Sequence, residues 1–267
     1  MKKTIDKTLE SMRKRNFTGL YADTANEAQN LILSIIPTDA MVGLGDSSTI
    51  RQLGVVERLK DRGNRVVNPF DITKVPKDQK SYFEFLFWPS LVATLCDVFL
   101  AGTNAVTEDG KIINVDGAGN RVSGMFWGHQ KSIIVVGKNK ITKNLDEAIN
   151  RIKNVIAPEH TRRKGGSPPC TVTGRCHDCR GIERKCAITT IIEHKPITCD
   201  INVVIVNEDL GLGWERSWSQ KRIDKIAEYH NRYVCSLSPT ASEKTDIAEL
   251  WQLARTKTKG MWLLRDK

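Results

Sequence analysis

Two patterns of apolar residues alternate along the chain. Ala25, Ala28, Leu31, Ile32, Ile35 and Ile36 repeat at three- and four-residue intervals, the stripe of an amphipathic helix. Thr24 and Glu27 form a capping box ahead of it and Pro37 ends it. A second stripe, Ile50, Leu53, Val56 and Leu59, follows Ser47 and Ser48 and stops at Gly63, which predicts one further helix. A third runs through Leu145, Ala148, Ile149, Ile152, Val155 and Ile156; it starts at Asn144 and Glu147 and is expected to stop at Pro158. Lys3 to Asn16 reads as a polar helix, with Ile5, Leu9 and Met12 as sparse anchors packing loosely at an edge. Ser81–Leu95 is apolar and helix-like; Phe83, Phe85, Phe87 and Trp88 read as core and Cys96 as a buried thiol. Strand-like runs lie between these segments, at Gly19–Ala22, Met41–Leu44, Arg65–Val67, Ile188–Ile192 and Ile201–Val206, with three more in Val98–Val136. The alternation predicts an α/β fold with a layered, largely parallel sheet flanked by helices.

Two stretches add polar chemistry to this frame. In Val98–Val136, Asp-Gly and Gly-x-Gly turns separate the short strands, and Gly102, Thr103, Asn104, Asp116, Gly117, Gly119, Asn120 and Arg121 fall at strand ends. Buried strands with polar tips are how an α/β fold presents a ligand site. Asp109–Gly110 reads equally well as a plain hairpin turn. Asp116–Arg121 carries more polar side chains than a turn needs. In the second stretch, a strand runs through Gly43 and Gly45 into Asp46, Ser47, Ser48 and Thr49 at a helix start. Free backbone N–H groups there suit an anion, although a capped helix alone would explain the pattern. The sequence is neither a dinucleotide fingerprint nor a Walker motif.

Glu159–Lys185 has a different character, with seven basic residues against three acidic ones. Cys170, Cys176, Cys179 and Cys186 are spaced C-x5-C-x2-C-x6-C. The chain lacks a secretory signal pattern, so it is expected to be cytoplasmic with its seven cysteines reduced. Four neighbouring thiols then point to a metal, either structural zinc or an iron–sulfur cluster, and the spacing does not choose. Arg162, Arg163, Lys164, Arg175, Arg180, Arg184 and Lys185 are expected to favour the thiolates. Cys199 and Cys235 read as isolated packing residues. The formal net charge of +10 implies attraction to anions, but no nucleic-acid motif accompanies it. No run is long enough to span a membrane. Residues 210–267 read as a helical extension holding Trp214, Trp218, Trp251 and Trp262. Its helices are expected after Ser219 (Ile223, Ile226, Ala227) and after Ser242 (Ile247, Leu250, Trp251, Ala254). So tryptophan-rich a segment must dock, by default on its own domain.

Val42-Gly-Leu-Gly-Asp-Ser-Ser-Thr, the long Gly102–Val122 stretch, Val136-Gly-Lys-Asn-Lys-Ile and Pro169-Cys-Thr-Val-Thr-Gly-Arg-Cys-His-Asp-Cys resemble the LUD-domain family, the lactate utilization proteins of the LutC/YkgG type. The resemblance covers Lys3 to Leu210, which marks residues 1–209 as the family-like domain, with 159–187 as its cysteine-rich loop. It implies a fold like that of the ribose-5-phosphate isomerase, glucosamine-6-phosphate deaminase and CoA-transferase group (NagB/RpiA-like). It also implies a place beside iron–sulfur subunits in systems that oxidise L-lactate to pyruvate. Carried over, Asn104, Asp116, Asn120 and Arg121 would face a pocket for a small anion, with Arg121 holding a carboxylate through two N–H groups. Three functions are open: a component of 2-hydroxy-acid oxidation; an enzyme or binding protein for a sugar phosphate or acyl-CoA with structural zinc; and a non-catalytic assembly subunit. A homo-oligomer is a further expected partner state.

Overall fold

Ile133 and Val135 face one side of a central strand, Ile134 and Val136 face the other, and all four are fully buried. This two-residue alternation in a wholly apolar run belongs to a strand covered on both faces. The protein is described here by a computed structural model, which covers residues 1–69, 89–163, 167–181, 184–215 and 217–230. The central strand, β7 (Lys131–Gly137), lies in a six-stranded sheet with β1 (Thr18–Ala22), β2 (Val42–Leu44), β3 (Val66–Val67), β4 (Val98–Gly102) and β10 (Asp200–Val206), ordered β1-β10-β7-β4-β2-β3. Every pairing in it is parallel. β2 and β4 are neighbours, but the chain leaves β2 toward β3 on one side and β4 toward β7 on the other. That divergence opens a crevice beyond their carboxyl ends.

Helices cover both faces. On one, Ala28 and Ile32 of α2 (Ala25–Ile35) join α3 (Ser48–Leu53) and α4 (Val55–Asp61) against Val98, Leu100, Ile133 and Val135. Thr24 caps α2 as expected, its hydroxyl accepting from the Glu27 N–H at 3.1 Å. The single helix expected between Ser48 and Gly63 is two, because Gly54 takes a left-handed conformation (φ 61°) between them. On the other face lies α1 (Lys2–Lys14), and it does not pack loosely: Ile5, Thr8 and Met12 are fully buried. Its polar composition reflects only its outward side.

A second, four-stranded sheet, ordered β8-β5-β6-β9, was not foreseen. It contains β5 (Ala105–Thr107), β6 (Ile112–Asp116), β8 (Ile141–Thr142) and β9 (Ile188–Ile192), and β6 is antiparallel to both β5 and β9. Asp109–Gly110 is simply the hairpin turn between β5 and β6, with Gly110 at φ 90°. One face of this sheet packs into the α1 core through Val106 and Ile112. The other packs through Ala105 and Ile113 on α6 (Leu145–Arg151) and the π-helical turn Ile152–Ile156. Pro158 does not end this helix. It falls in the first turn of the segment that follows, α7 (Ala157–Arg163), where its missing N–H costs little.

Phe83, Phe85, Phe87, Trp88, Cys235, the helix expected after Ser242, Trp251 and Trp262 lie outside the described residues. Cys96 is buried as expected. Cys199 is buried but not isolated: its thiol stands 3.5 Å from His129 Nε2. Burial pushes that thiol up to about 11 and lowers His129, so both groups are neutral.

Candidate functional site

A cavity of about 1510 Å³ occupies the crevice beyond β2 and β4. The β2–α3 turn supplies Asp46, Ser47, Ser48 and Thr49 to its wall, and the end of β4 supplies Gly102, Thr103 and Asn104. The end of β6 and the start of α5 (Asn120–Gly124) bring Asp116, Gly117, Gly119, Asn120 and Arg121. The structure therefore gathers the two polar stretches of the sequence on one cavity. Gly43 and Gly45 are exceptions, because neither reaches it. A Cβ at Gly43 would stand 1.9 Å from the Ala93 carbonyl oxygen, and one at Gly45 would stand 3.0 Å from Arg121 Cγ. Both keep the layers close and lie behind the cavity wall.

Most of the polar wall is spent on itself. Arg121 is only 8% exposed. Its Nη1 donates to Asn114 Oδ1 at 2.6 Å and to the Gly102 carbonyl at 3.2 Å. Its Nη2 donates to the Val115 carbonyl at 3.0 Å and to Asn104 Oδ1 at 3.3 Å. Nε faces Asp116 Oδ2 at 3.3 Å. A guanidinium has five N–H groups, and all five are committed. The expected clasp of Arg121 on a ligand carboxylate has no donors left to form it, and the side chain instead ties β4, β6 and α5 together. Asp116 is likewise occupied, since its Oδ1 also accepts from the Ala118 and Gly119 N–H groups at 3.1 and 2.8 Å. Asp46 is held by Arg51 at 2.9 Å.

Lys140 is different, and sequence reasoning passed over it. It follows β7, is 6% exposed and lines the cavity. Its Nζ donates to Thr49 Oγ1 at 3.0 Å and to the Thr103 carbonyl at 3.2 Å. Among the described residues no carboxylate pairs with it; the nearby charges are Arg151 and Arg121. Burial, reinforced by those two cations, brings its pKa down from 10.5 to about 7. The amine is therefore present in both charged and neutral forms near neutral pH. The one available signal was its place at a strand end in Val136-Gly-Lys-Asn-Lys-Ile, which does not separate it from Lys138.

The start of the C-terminal extension closes over this amine. Gly211, at φ 72°, has its backbone so near that a Cβ there would stand 2.7 Å from Nζ. Asn139 fixes the strap by accepting from the Leu210 N–H at 3.1 Å, and Arg151 binds the Gly213 carbonyl and faces Glu215 at 3.2 Å. Leu212, Trp214 and Ile226 of α9 (Gln220–His230) form a small apolar cluster beyond it. Arg222 joins that helix to Asp209 at 2.6 and 2.8 Å and stacks on Trp218. The described part of the extension thus docks on its own domain; the side chain of Ala227 is outside the description.

The cysteine loop reaches the same cavity, because Arg184, Lys185 and Cys186 line it. Arg184 organises the loop, donating to the carbonyls of Cys179 and Cys186 at 2.9 Å each. Cys170, at the start of α8 (Cys170–Thr173), is close enough to Cys176 and Cys179 to feel their charge, and Cys186 feels all three. Burial and these neighbouring thiols raise Cys170 and Cys186 despite Arg162 and Arg184. At Cys170 and Cys186 the basic side chains therefore do not outweigh burial, contrary to the expectation from composition. Among the described residues, no three Cys, His, Asp or Glu side chains form a metal-ligand constellation. His177 is turned to Thr173 Oγ1, at 2.7 Å.

No curated protein sequence matches the chain. A crystal structure of a DUF162 family protein from Deinococcus radiodurans is similar to it at 12% identity, covering 77% of this chain and 97% of that one with a TM-score of 0.41. The sequence profile of the LUD domain matches residues 5–206, from α1 to the end of β10, which takes in both sheets and the cavity between their strand ends; the chain belongs to the LUD-domain family.

Proposed function

We propose that the chain is a component of a lactate utilization system that binds a small carboxylate, a 2-hydroxy or 2-oxo acid, in the cavity beyond β2 and β4. The observation that carries this reading is Lys140, a buried amine at the cavity wall with no carboxylate partner among the described residues. A protonated amine there needs a counter-charge, and an anionic ligand would supply it. The hydroxyls of Ser47, Ser48 and Thr49 lie on the same wall and offer hydrogen bonds to the ligand's oxygens. Arg121 and Asp116 serve as the frame behind them.

Cys170, Cys176, Cys179 and Cys186 are assigned to one zinc ion or iron–sulfur cluster at the cavity rim. Their spacing in the sequence, and Cys186 on the cavity wall, support this assignment, which requires the four thiols to draw together when the metal binds. Metal binding would displace the thiol protons, reversing the raised pKa values of the free loop. An iron–sulfur centre there would suit electron transfer to partner redox subunits, whereas zinc would only brace the rim.

Cavity size favours a second reading. About 1510 Å³ exceeds what a three-carbon acid fills, so a sugar phosphate or an acyl-CoA would also fit. A thermal-stability panel separates the two. Stabilisation by lactate or pyruvate, and not by ribose 5-phosphate or CoA, is the expected result. The opposite pattern would transfer the site to the second reading.

A further inference from the structure

We propose that Lys140 is a catalytic residue that forms an imine with the carbonyl carbon of a 2-oxo acid held in the cavity. This rests on the small-carboxylate reading of the same site.

Four features place a nucleophile at this position. The amine lines the cavity although its side chain is buried. Its donors are directed by Thr49 Oγ1 and the Thr103 carbonyl, at 3.0 and 3.2 Å, which fixes the direction of its lone pair. Its charged neighbours are the cations Arg151 and Arg121, and among the described residues no carboxylate holds a proton on it. Gly211 leaves the nitrogen the room that any side chain would take, since a Cβ there would approach within 2.7 Å. Desolvation beside other cations is how proteins make an amine nucleophilic, and the depressed pKa of Lys140 agrees with that arrangement.

The step balances without an oxidant or reductant. The nitrogen lone pair bonds to the carbonyl carbon as the carbonyl π electrons move to oxygen. A proton passes from nitrogen to that oxygen, giving a carbinolamine; the Thr49 hydroxyl, 3.0 Å from Nζ, is placed to relay it. The carbon–oxygen bond then breaks, and the oxygen leaves as water with the second nitrogen proton. A C=N bond remains between the ligand and Lys140. A 2-hydroxy acid has no ketone carbon to attack, and its carboxylate does not condense with an amine, so it would occupy the site only reversibly.

The test is reductive trapping on the full-length protein. Protein is incubated with pyruvate and sodium cyanoborohydride, which delivers hydride to an imine carbon, and is then digested for peptide mass spectrometry. The expected result is saturable modification of the Lys140 peptide, by the mass of pyruvic acid less one oxygen atom, suppressed by excess lactate. A Lys140→Arg variant, shown by circular dichroism and thermal unfolding to be folded, should lose that adduct. Absence of a saturable adduct at Lys140, or modification only of surface lysines, overturns the proposal. In that event, thermal stabilisation of the wild type by lactate and pyruvate shows that the binding reading survives; its absence shows that the reading has failed as well.

Discussion

Two buried cations on one cavity wall have opposite fates, and the difference is countable in hydrogen bonds. Arg121 has all five N–H groups satisfied by protein acceptors, whereas Lys140 has polar neighbours and no counter-charge among the described residues. Arg121→Met should therefore act first on stability. It strands Asp116 and Asn114 in a buried place, a loss of roughly 3–5 kcal/mol for a broken buried pair, measurable by urea denaturation. Lys140 should show a pH signature. Its folded pKa, about 7, lies below its ordinary value of 10.5, so between these the unfolded chain binds the extra proton. The stability cost of burying Lys140 is then full below pH ~7 and fades as pH rises toward the ordinary lysine value. The stability difference between Lys140→Met and wild type should accordingly drift in favour of the wild type across that window. A pH-independent difference would show that the amine is not depressed. A strand-end arginine in the sequence suggested a carboxylate clasp, but whether its donors are free depends on Asn114, Gly102 and Val115, residues with no individual signal. Lys140 was missed for the related reason that burial, and not residue type, makes an amine unusual.

At the scale of elements, local patterns carried well where one chain segment decides the outcome. The Thr24 cap and the stripe through Ala28 and Ile32 are such cases. Thr24→Ala should cost about 1 kcal/mol, the usual worth of an N-cap hydroxyl, without changing ligand stabilisation, because α2 does not line the cavity. Where two influences compete, the local reading fell short. The stripe from Ile50 to Leu59 read as one helix, but the left-handed conformation of Gly54 splits α3 from α4. Pro158 looked like a stop, but a π-helical turn admits it. The second sheet was hidden because β5 and β8 span only three and two residues, too few to show a period, and β9 joins from more than seventy residues away. Such pairings are set by packing against α1 and α6, which no window of sequence contains.

For the whole molecule, the LUD domain brings the cavity, the cysteine loop and the start of the C-terminal extension to one place. Among the described residues no helix is long and apolar enough to cross a membrane. That the two polar stretches share one pocket was legible only through the family resemblance: neighbouring parallel strands β2 and β4 bring Asp46–Thr49 and Gly102–Asn104 together at the switch point, whereas Asp116–Arg121 arrive from the antiparallel sheet. That Cys186 and Leu212 would join them was not legible, since both arrive through irregular backbone. If the cysteines hold a metal, protein purified without oxygen should carry about one zinc or roughly four irons per chain, and Cys176→Ser should lose it; metal-free protein from such preparations would remove the assignment. The central claim is that Lys140 marks a small-carboxylate site. Calorimetric titration of lactate into the wild type and a folded Lys140→Gln variant tests it most directly. One saturable site is predicted, weakened about ten- to a hundred-fold in the variant, the worth of a hydrogen bond to a charged group. Absent binding to the wild type, or equal affinity in the two proteins, would contradict it.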